Sequence, residues 1–261
     1  MEILRSLPWR VIRRWRRRAL GKPDLVTPDT AELPPSAAEA LGRAASSDFA
    51  RLFYAHRGRP AYKWTHYLDA YERHLGPWRG RQVRLLEIGV WNGGSLELWR
   101  DYLGPQAVIF GLDIDPACAG RVDPPNQVRI GSQADKGFVR TVVKEMGGLD
   151  ILIDDGSHIA DHQRASFEAL WPLLSDGGLY VIEDLHTAYW PGNYRGGFRR
   201  AGTAVEMVKA LMDEVNRAYH WHGRIADVSA IHVYDSLAVV EKRAAPSPAQ
   251  ISVGAPSKAA G

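Results

Sequence analysis

The chain has 261 residues, of which 45% are hydrophobic, 33 are Lys or Arg and 30 are Asp or Glu. This size allows one sizeable domain with extensions, and the near balance of charge gives no reason to expect a nucleic acid partner. The single cysteine, Cys118, excludes an internal disulfide framework, and no apolar stretch reaches membrane-spanning length. We therefore expect a cytoplasmic protein.

The segment 1–21 breaks this charge balance, because it holds seven arginines against one acid, Glu2. As an amphipathic helix it would place Leu4, Val11 and Trp15 near one face and could make a peripheral contact with an anionic membrane. A subunit contact or a mobile basic arm is the favoured alternative. Residues 22–46 are rich in Pro and Ala and predict a linker with one short helix near 37–44.

Residues 47–76 predict a helical cap. Ser47 is a plausible N-cap for a short first helix, Gly58 and Pro60 end it, and a second helix is expected at about 65–75. The second part is dense in side chains with polar tips, which favour the wall of a wet cavity over plain hydrophobic packing. The alternative is a helix that only covers a sheet edge. These side chains are Tyr62, Lys63, Trp64, His66, Tyr67 and Tyr71.

The stretch 83–115 predicts the first half of a nucleotide-binding α/β unit. A buried strand at 83–88 carries Glu87, a glycine turn and a helix follow, and a second strand at 107–112 ends on acids. The turn spacing is G-x-x-x-G-G, and Glu87 would repel a pyrophosphate but suits a ligand with a cationic amino-acid end. A glycine turn without any cofactor is the alternative. The candidate ligand contacts are Glu87, Gly89, Asn92, Gly93 and Ser95 in the turn, with Asp113 and Asp115 for a ribose diol.

A third strand is predicted at 128–130, followed by the polar residues GSQAD. Gln133 and Asp135 are placed there to hydrogen-bond an adenine edge. For Asp135 an N-cap of the next helix is an equal alternative.

The stretch 149–190 carries most of the candidate chemistry. Two buried strands, at 151–153 and 179–182, end in the sequences DDGSH and EDLH, and the helix between them is predicted to end at Gly177 and Gly178. In a doubly wound sheet both strand ends open onto the same crevice as the glycine turn. The converging carboxylates would repel one another without a cation, and oxygen ligands favour Mg²⁺. N-caps and surface charges are the alternative for these acids. The predicted ligands are Asp155, Glu183 and Asp184, with His158 free to act as a base and Asp154 beside the cofactor.

The segment 185–202 resembles an active-site lid, because it is rich in glycine and aromatic residues and follows the acids directly. Tyr189, Trp190 and Tyr194 could stack on the apolar face of a sugar ring. A helix is expected at about 203–220, then a hairpin of strands 229–234 and 237–242. Residues 244–261 are expected to be a disordered tail.

The motifs EIGVWNGGS, GLDID, GSQAD, IDDGSH and VIEDLHTAYW resemble a branch of the class I S-adenosylmethionine-dependent methyltransferases. This branch contains the Mg²⁺-dependent sugar O-methyltransferases of the mycinamicin and macrocin type, and similar mycobacterial enzymes that methylate polysaccharide or glycolipid sugars. The resemblance covers about 47–242. It implies an α/β domain over 47–243, with a doubly wound, mostly parallel seven-stranded sheet, an antiparallel C-terminal hairpin and the helical cap at 47–76.

The resemblance also implies a reaction, site roles and a homo-oligomer. S-adenosylmethionine would give its methyl group to a sugar hydroxyl, with His158 as general base assisted by Asp155 and with Mg²⁺ held by Asp155, Glu183 and Asp184. The segment K-W-x-H-Y would close over the site. In it, Lys63 and Tyr67 would contact the cofactor, and Trp64 and His66 the substrate.

Three other functions stay open or are disfavoured. A catechol-type O-methyltransferase shares the sheet and the Mg²⁺ carboxylates, and a non-catalytic S-adenosylmethionine-binding module shares the glycine turn. A sensor has no need of paired carboxylates beside the methyl group, which argues against the second. An iron and 2-oxoglutarate hydroxylase is disfavoured because the sequence shows no H-x-D pattern with a distant His.

Overall fold

The computed structural model describes residues 33–223, 225–244 and 248–254. The chain divides into two compact units, 1–35 and 36–261, and the described residues belong almost entirely to the second. The predicted basic segment 1–21 and much of the predicted tail therefore lie outside the described residues. Residues 248–254 contain neither helix nor strand.

The domain contains seven α-helices and seven strands among its described residues, alternating through most of the chain. Short 3₁₀ turns lie between several of them, including Thr65–Tyr67, Leu185–Tyr189 and Gly192–Tyr194. The helices are α1 (Pro35–Ala44), α2 (Asp48–Ala55), α3 (Leu68–Leu75), α4 (Gly94–Leu103), α5 (Lys136–Met146), α6 (Ala160–Leu170) and α7 (Ala204–Val215). The strands are β1 (Arg84–Ile88), β2 (Val108–Asp113), β3 (Gln127–Ile130), β4 (Leu149–Asp154), β5 (Leu174–Ile182), β6 (Val228–Tyr234) and β7 (Leu237–Lys242).

The strands form one sheet in the order β3-β2-β1-β4-β5-β7-β6. Strands β1 to β5 pair in parallel, whereas β7 pairs antiparallel with both β5 and β6. The order reverses direction between β1 and β4, and in open α/β sheets ligands bind at such a switch point. The predicted mostly parallel sheet with an antiparallel C-terminal hairpin is confirmed.

Two hydrophobic layers cover the two faces of the sheet. On one face, α2, α3 and α4 bury Phe49, Tyr71 and Trp99 against β1 and β4. On the other, α5, α6 and α7 contribute Val142 and Phe167 among others. Because the central strands are covered on both faces, their continuous apolar runs follow from the architecture.

Two helix starts agree with the predicted capping residues, Ser47 and Asp135. The hydroxyl of Ser47 accepts a hydrogen bond from the amide of Ala50 at 3.3 Å and begins α2. The Asp135 carboxylate accepts bonds from the amides of Gly137 and Phe138 at 2.9 and 3.0 Å and begins α5. Of the two roles open for Asp135, the structure shows the N-cap.

The predicted end of the helix after β4 is wrong. Helix α6 ends at Leu170, and Gly177 and Gly178 lie inside β5. A Cβ on Gly178 would stand 2.8 Å from the Asp150 carbonyl oxygen, so this glycine lets β5 run close beside β4. A glycine pair is a local stop signal, and here pairing with β4 overrides it.

Among the residues that the structure describes, no helix is both long enough and apolar enough to cross a lipid bilayer.

Candidate functional site

The site lies where the carboxyl ends of β1 and β4 meet. Gly89, directly after β1, has φ +93°, and a Cβ there would stand 2.1 Å from the Asp155 carbonyl oxygen. Only glycine adopts this conformation without strain and also lets the two loops touch backbone to backbone. The glycine turn and the acids after β4 therefore line one crevice, as predicted.

A buried lysine from the cap occupies the centre of the carboxylate cluster. The ammonium nitrogen of Lys63 lies 2.5 Å from Glu183 Oε1, 2.7 Å from Asp155 Oδ2 and 3.4 Å from Glu87 Oε1. Its side chain is only 1% exposed. Burial opposes the charged form, but the three carboxylates outweigh it and hold the pKa of Lys63 well above its usual value. Lys63 is therefore the resident cation of this cluster.

Two members of the cluster are further fixed by hydroxyl groups. The Tyr71 hydroxyl donates a very short hydrogen bond to Glu183, and the Ser95 hydroxyl donates to Glu87 Oε2 at 2.5 Å. Burial raises the pKa of both carboxyl groups, and Lys63 lowers it again in part. The side chain of Glu183 thus points toward Lys63 and Tyr71.

Asp184 is held by the cap and by the turn between β6 and β7. Its Oδ1 accepts a hydrogen bond from Trp64 Nε1 at 2.9 Å and lies 3.1 Å from the Tyr67 hydroxyl. The Tyr67 hydroxyl is also 2.8 Å from the carbonyl oxygen of Ser236. Trp64 and Tyr67 thus orient the carboxylate that was predicted to bind a metal, which makes them outer-shell partners in such a site.

His158 faces two of the carboxylates. Its Nε2 lies 3.5 Å from Asp184 Oδ2 and 3.8 Å from Asp155 Oδ1, and its Nδ1 is buried with no hydrogen-bond partner among the described residues. Both His158 and Asp184 have φ +54°, a conformation that costs a non-glycine residue energy. Strained backbone at two facing polar residues points to a functional rather than a purely structural arrangement.

The donor groups fit a divalent cation. One oxygen each from Asp155 and Asp184 and one nitrogen from His158 lie within 4.8 Å of one another. Single oxygens of Glu87, Asp155 and Glu183 are equally close, but this second group already surrounds the Lys63 ammonium. Carboxylate oxygens are the ligands that Mg²⁺ prefers. The predicted ligands Asp155, Glu183 and Asp184 are therefore neighbours split over two clusters that share Asp155, and the trio stays a prediction.

The two acids predicted to bind a ribose, Asp113 and Asp115, form hydrogen bonds within the loops around the crevice. Asp113 Oδ2 accepts hydrogen bonds from the amides of Val90 and Trp91 at 2.8 and 3.1 Å, linking the end of β2 to the glycine turn. Burial alone would raise the pKa of Asp113, but the backbone donors outweigh it and lower the pKa. Asp115 caps the 3₁₀ turn Pro116–Gly120 through the amide of Ala117.

Gln133 and Asp154, both predicted as cofactor contacts, lie in an internal network. Gln133 Nε2 donates to Asp154 Oδ1 at 3.1 Å, and Gln133 Oε1 accepts from the amide of Ser157 at 2.8 Å. The Ser166 hydroxyl donates to Asp154 Oδ2 at 2.8 Å. Since both residues are buried, this network positions the loop that carries Asp155 and His158.

The N-terminus of α4 is covered by the chain itself. A Cβ on Gly94 would stand 2.2 Å from the carbonyl oxygen of Arg59 and 2.5 Å from that of Pro60. Gly93 has φ +84° and approaches the carbonyl oxygen of Arg121 in the same way. Cap backbone thus occupies the place near which a dinucleotide fold binds pyrophosphate, in agreement with the departure from G-x-G-x-x-G. Asn92 lies in this turn, between β1 and α4.

Aromatic side chains of the cap and the predicted lid form a continuous row. Ring centroids are 5.6 Å apart for Trp64 and His186, 4.6 Å for His186 and Trp190, and 5.6 Å for Trp190 and Tyr194. Tyr189 is 46% exposed. The structure thus brings Trp64, Trp190 and Tyr194 together. The His66 ring also lies 5.6 Å from the Trp64 ring, and its Nε2 is 3.1 Å from the Asp235 carbonyl oxygen.

Three residues of the site were not predicted. The sequence marks Tyr71 only as a polar aromatic, although it follows Tyr67 by one helical turn and so shares its face. His186 contacts the Ser236 hydroxyl and links the lid to the hairpin turn. The sequence predicts only a turn at Ser236, and no sequence signal indicates that this turn packs on the cap.

The comparisons with known proteins agree with this geometry. A family model described as a methyltransferase domain matches residues 86–185. A structure of MycE, a methyltransferase of mycinamycin biosynthesis, in complex with Mg, SAH and mycinamycin VI superposes with a TM-score of 0.67 at 36% identity. That match covers 76% of this chain and 53% of MycE. Residues 86–185 therefore match a methyltransferase domain, and the sheet has the class I methyltransferase fold.

Two curated relatives extend the similarity to the sequence level. An O-methyltransferase of Streptomyces olivaceus that acts at the 3′ position of 8-demethyl-8-(2-methoxy-α-L-rhamnosyl)-tetracenomycin C is 38% identical over 226 residues. Mycinamicin VI 2″-O-methyltransferase of Micromonospora griseorubida is 39% identical over 206 residues. The matches cover 79% and 70% of this chain but 57% and 50% of the relatives. The chain thus spans about half the length of the curated relatives it matches.

Proposed function

We propose that the chain is an S-adenosylmethionine-dependent, Mg²⁺-dependent O-methyltransferase that methylates a sugar hydroxyl of a glycosylated small molecule. The observation that carries the proposal is the meeting of His158 with Asp155 and Asp184 at the crevice between β1 and β4. A base beside two carboxylates, next to a cofactor-type glycine turn, suits deprotonation of a hydroxyl in front of a methyl donor.

The similarity to sugar O-methyltransferases supports the substrate class. Relatives named for methylating a rhamnosyl group and mycinamicin VI align over more than two thirds of this chain. The row Trp64, His186, Trp190 and Tyr194 beside Asp184 offers flat apolar faces next to hydrogen-bonding groups. Such a surface suits a pyranose ring, which has an apolar face and a polar rim.

The side chains of the crevice have different roles in the proposed reaction. His158 Nε2, which faces the crevice, takes the hydroxyl proton, and Asp155 and Asp184 stabilise the imidazolium that results. Asp155 and Asp184, with Glu183 as the predicted third ligand, would hold the cation. When bound, Mg²⁺ would supply Lewis-acid stabilisation of negative charge developing on the substrate oxygen. The Lys63 ammonium offsets the negative charge of Glu87, Asp155 and Glu183, so these side chains stay close together beside the methyl donor.

The cofactor would lie along the ends of β1 and β2. The proposed contacts are Glu87 and Ser95 for its amino-acid end and Asp113 for its ribose. Gly89 and Gly93 shape the turn beside it, because they let the turn approach the backbone of Asp155 and Arg121. S-adenosylmethionine brings an already activated methyl group, so the protein mainly positions and desolvates the reacting pair.

The test is methyl transfer from labelled S-adenosylmethionine to an acceptor panel, followed by mass spectrometry of the products. The panel holds rhamnosides and other methyl glycosides, macrolide glycosides, disaccharides and catechol. Transfer to a glycoside hydroxyl is the expected result. Transfer to catechol alone would favour the catechol-type alternative, and tight cofactor binding without transfer to any member would contradict the proposed substrate class.

A further inference from the structure

A second cluster of metal-ligating side chains lies away from the crevice, between α3 and the C-terminal hairpin. One imidazole nitrogen each from His74 and His232 and one carboxylate oxygen of Glu241 lie within 4.8 Å of one another. His74 stands in the last turn of α3, His232 in β6 and Glu241 in β7. The reaction proposed above uses none of these three residues.

The sheet register places the side chains of His232 and Glu241 on one face of the sheet. His232 pairs with Val239, and Glu241 follows Val239 by two residues, so the side chains of all three point the same way. Val239 packs in the same buried cluster as Tyr71 and Leu75 of α3. Helix α3 therefore lies over this face and brings His74 to the two strand residues.

The distances suit three ligands of one small ion. His232 Nε2 lies 2.8 Å from Glu241 Oε1, and His74 Nδ1 lies 4.0 Å from the same oxygen. Tetrahedral zinc, with bonds of about 2.0 to 2.2 Å, sets its ligand atoms roughly 3.4 Å apart. The two observed separations lie about 0.6 Å on either side of this value, so small side-chain rotations would bring the ligand atoms to it.

The surroundings also match those of a metal-binding histidine. The Nε2 atom of His74 lies 2.8 Å from the Tyr234 hydroxyl, which leaves Nδ1 toward Glu241. Metal-bound imidazoles usually hydrogen-bond through their second nitrogen in this way, and that bond fixes the ring orientation. The side chain of His74 is 5% exposed, whereas those of His232 and Glu241 are 36% and 32% exposed. The cluster thus has one anchored ligand and an open side through which an ion can enter.

We propose that His74, His232 and Glu241 form a transition-metal site, separate from the crevice, with Zn²⁺ as the ion whose preferences they match. Two imidazoles and one carboxylate are a known zinc donor set, and water can fill the fourth position. The crevice, in contrast, is dominated by carboxylates. Bound metal would cross-link α3 to the hairpin of β6 and β7. Since α3 also carries Tyr71, which holds Glu183, the ion would stiffen the cap.

The experiment measures Zn²⁺ affinity by competition with a chromophoric chelator, and the thermal shift on adding Zn²⁺. All proteins carry His158→Ala and saturating Mg²⁺, so that the crevice imidazole cannot contribute. The variants are His232→Ala and Glu241→Gln, both at partly exposed positions and therefore expected to fold. His220→Ala is the matched control, because His220 is an exposed histidine that bonds the Asp213 carbonyl oxygen.

We expect a Zn²⁺ affinity at least tenfold weaker in His232→Ala and in Glu241→Gln, with the thermal shift lost, and an unchanged affinity in the His220→Ala control. Co²⁺ titration should give the visible bands of four-coordinate cobalt only where the cluster is intact. Equal affinity in the parent and in both cluster variants would overturn the proposal. Loss of binding in His220→Ala alone would also overturn it.

Discussion

The ammonium nitrogen of Lys63 lies 2.7 Å from Asp155 Oδ2, although the two residues stand 92 positions apart in the chain. This contact joins the N-terminal cap to the strand end that carries His158. It places one positive charge among three acids that would otherwise repel one another. The cap is therefore part of the electrostatic structure of the crevice as well as its cover.

Replacing Lys63 by methionine should destabilise the protein by roughly 3–5 kcal/mol in the presence of EDTA, because buried carboxylates then lack a counter-charge. Mg²⁺ should recover part of this loss, since the freed carboxylates can take a divalent ion. Thermal unfolding with EDTA and with Mg²⁺ measures both effects. Lys136→Met, which breaks an ion pair with Glu168 at the surface, should cost less than about 1 kcal/mol. Equal losses in the two variants would contradict the role of Lys63.

Replacing Trp64 by phenylalanine removes the indole donor to Asp184 Oδ1 and keeps an aromatic ring in place. Because such supporting bonds orient a metal-binding carboxylate, the Mg²⁺ concentration for half-maximal transfer should rise about 10-fold to 100-fold. The measurement is the initial rate of transfer against Mg²⁺ concentration. Trp78→Phe, in the turn after α3, is the control, and an unchanged Mg²⁺ requirement in Trp64→Phe would argue against Asp184 as a ligand.

Replacing His158 by alanine should lower turnover by about two to four orders of magnitude, because the hydroxyl loses its proton acceptor. Isothermal titration should show S-adenosylmethionine binding that is nearly unchanged, since His158 faces Asp155 and Asp184 rather than the glycine turn. The exposed His220→Ala variant should keep full activity. Intact turnover in His158→Ala would remove His158 from the role of base.

Asp150 stabilises the opposite end of the sheet and gives a pH-dependent prediction. Its carboxylate accepts hydrogen bonds from the amide, Nε and Nη2 of Arg84 at 2.9, 2.8 and 2.7 Å. Burial alone would raise the pKa of Asp150, but the Arg84 and Ser175 donors outweigh it and lower the pKa below 3.8. A lowered pKa means that the ionised form is favoured by folding. The stabilisation is therefore complete well above pH 3.8 and is lost as the pH falls below that value.

Asp150→Asn should accordingly cost about 2 kcal/mol at pH 7, and the difference from the parent should shrink as the pH falls below 4. Urea unfolding at a series of pH values gives both quantities. Asp161→Asn, at a half-exposed carboxylate paired with Arg164 and Arg195, should cost less than about 1 kcal/mol at any of these pH values. If the loss of stability in Asp150→Asn instead grew toward low pH, folding would not lower the pKa of Asp150.

The strands and the crevice were predictable because short-range signals specify them. The apolar run before Glu87 and the run before Asp154 form neighbouring parallel strands, so the residues that follow them had to meet at one edge of the sheet. The sequence signal for the hairpin turn at Asp235 and Ser236 is equally local. These parts of the prediction needed no knowledge of long-range contacts.

The parts that were missed depend on how distant segments dock. Nothing near Lys63 in the sequence indicates that its ammonium would lie against Asp155 and Glu183 and not against a ligand. Gly177 and Gly178 were assigned to a helix end because a local stop signal does not show that β4 lies beside them. Gln133 and Asp154 satisfy each other inside the protein, a pairing that periodicity does not predict.

We propose that the crevice between β1 and β4 performs cation-dependent methyl transfer. The measurement is single-turnover transfer from labelled S-adenosylmethionine to a glycoside that is methylated in the acceptor panel. It is made first in EDTA and then after Mg²⁺ is restored, for the parent and for Asp184→Asn. We expect loss of transfer in EDTA, full recovery with Mg²⁺ in the parent, and recovery in Asp184→Asn only at much higher Mg²⁺. Transfer at the same rate in EDTA would show that the reaction needs no cation.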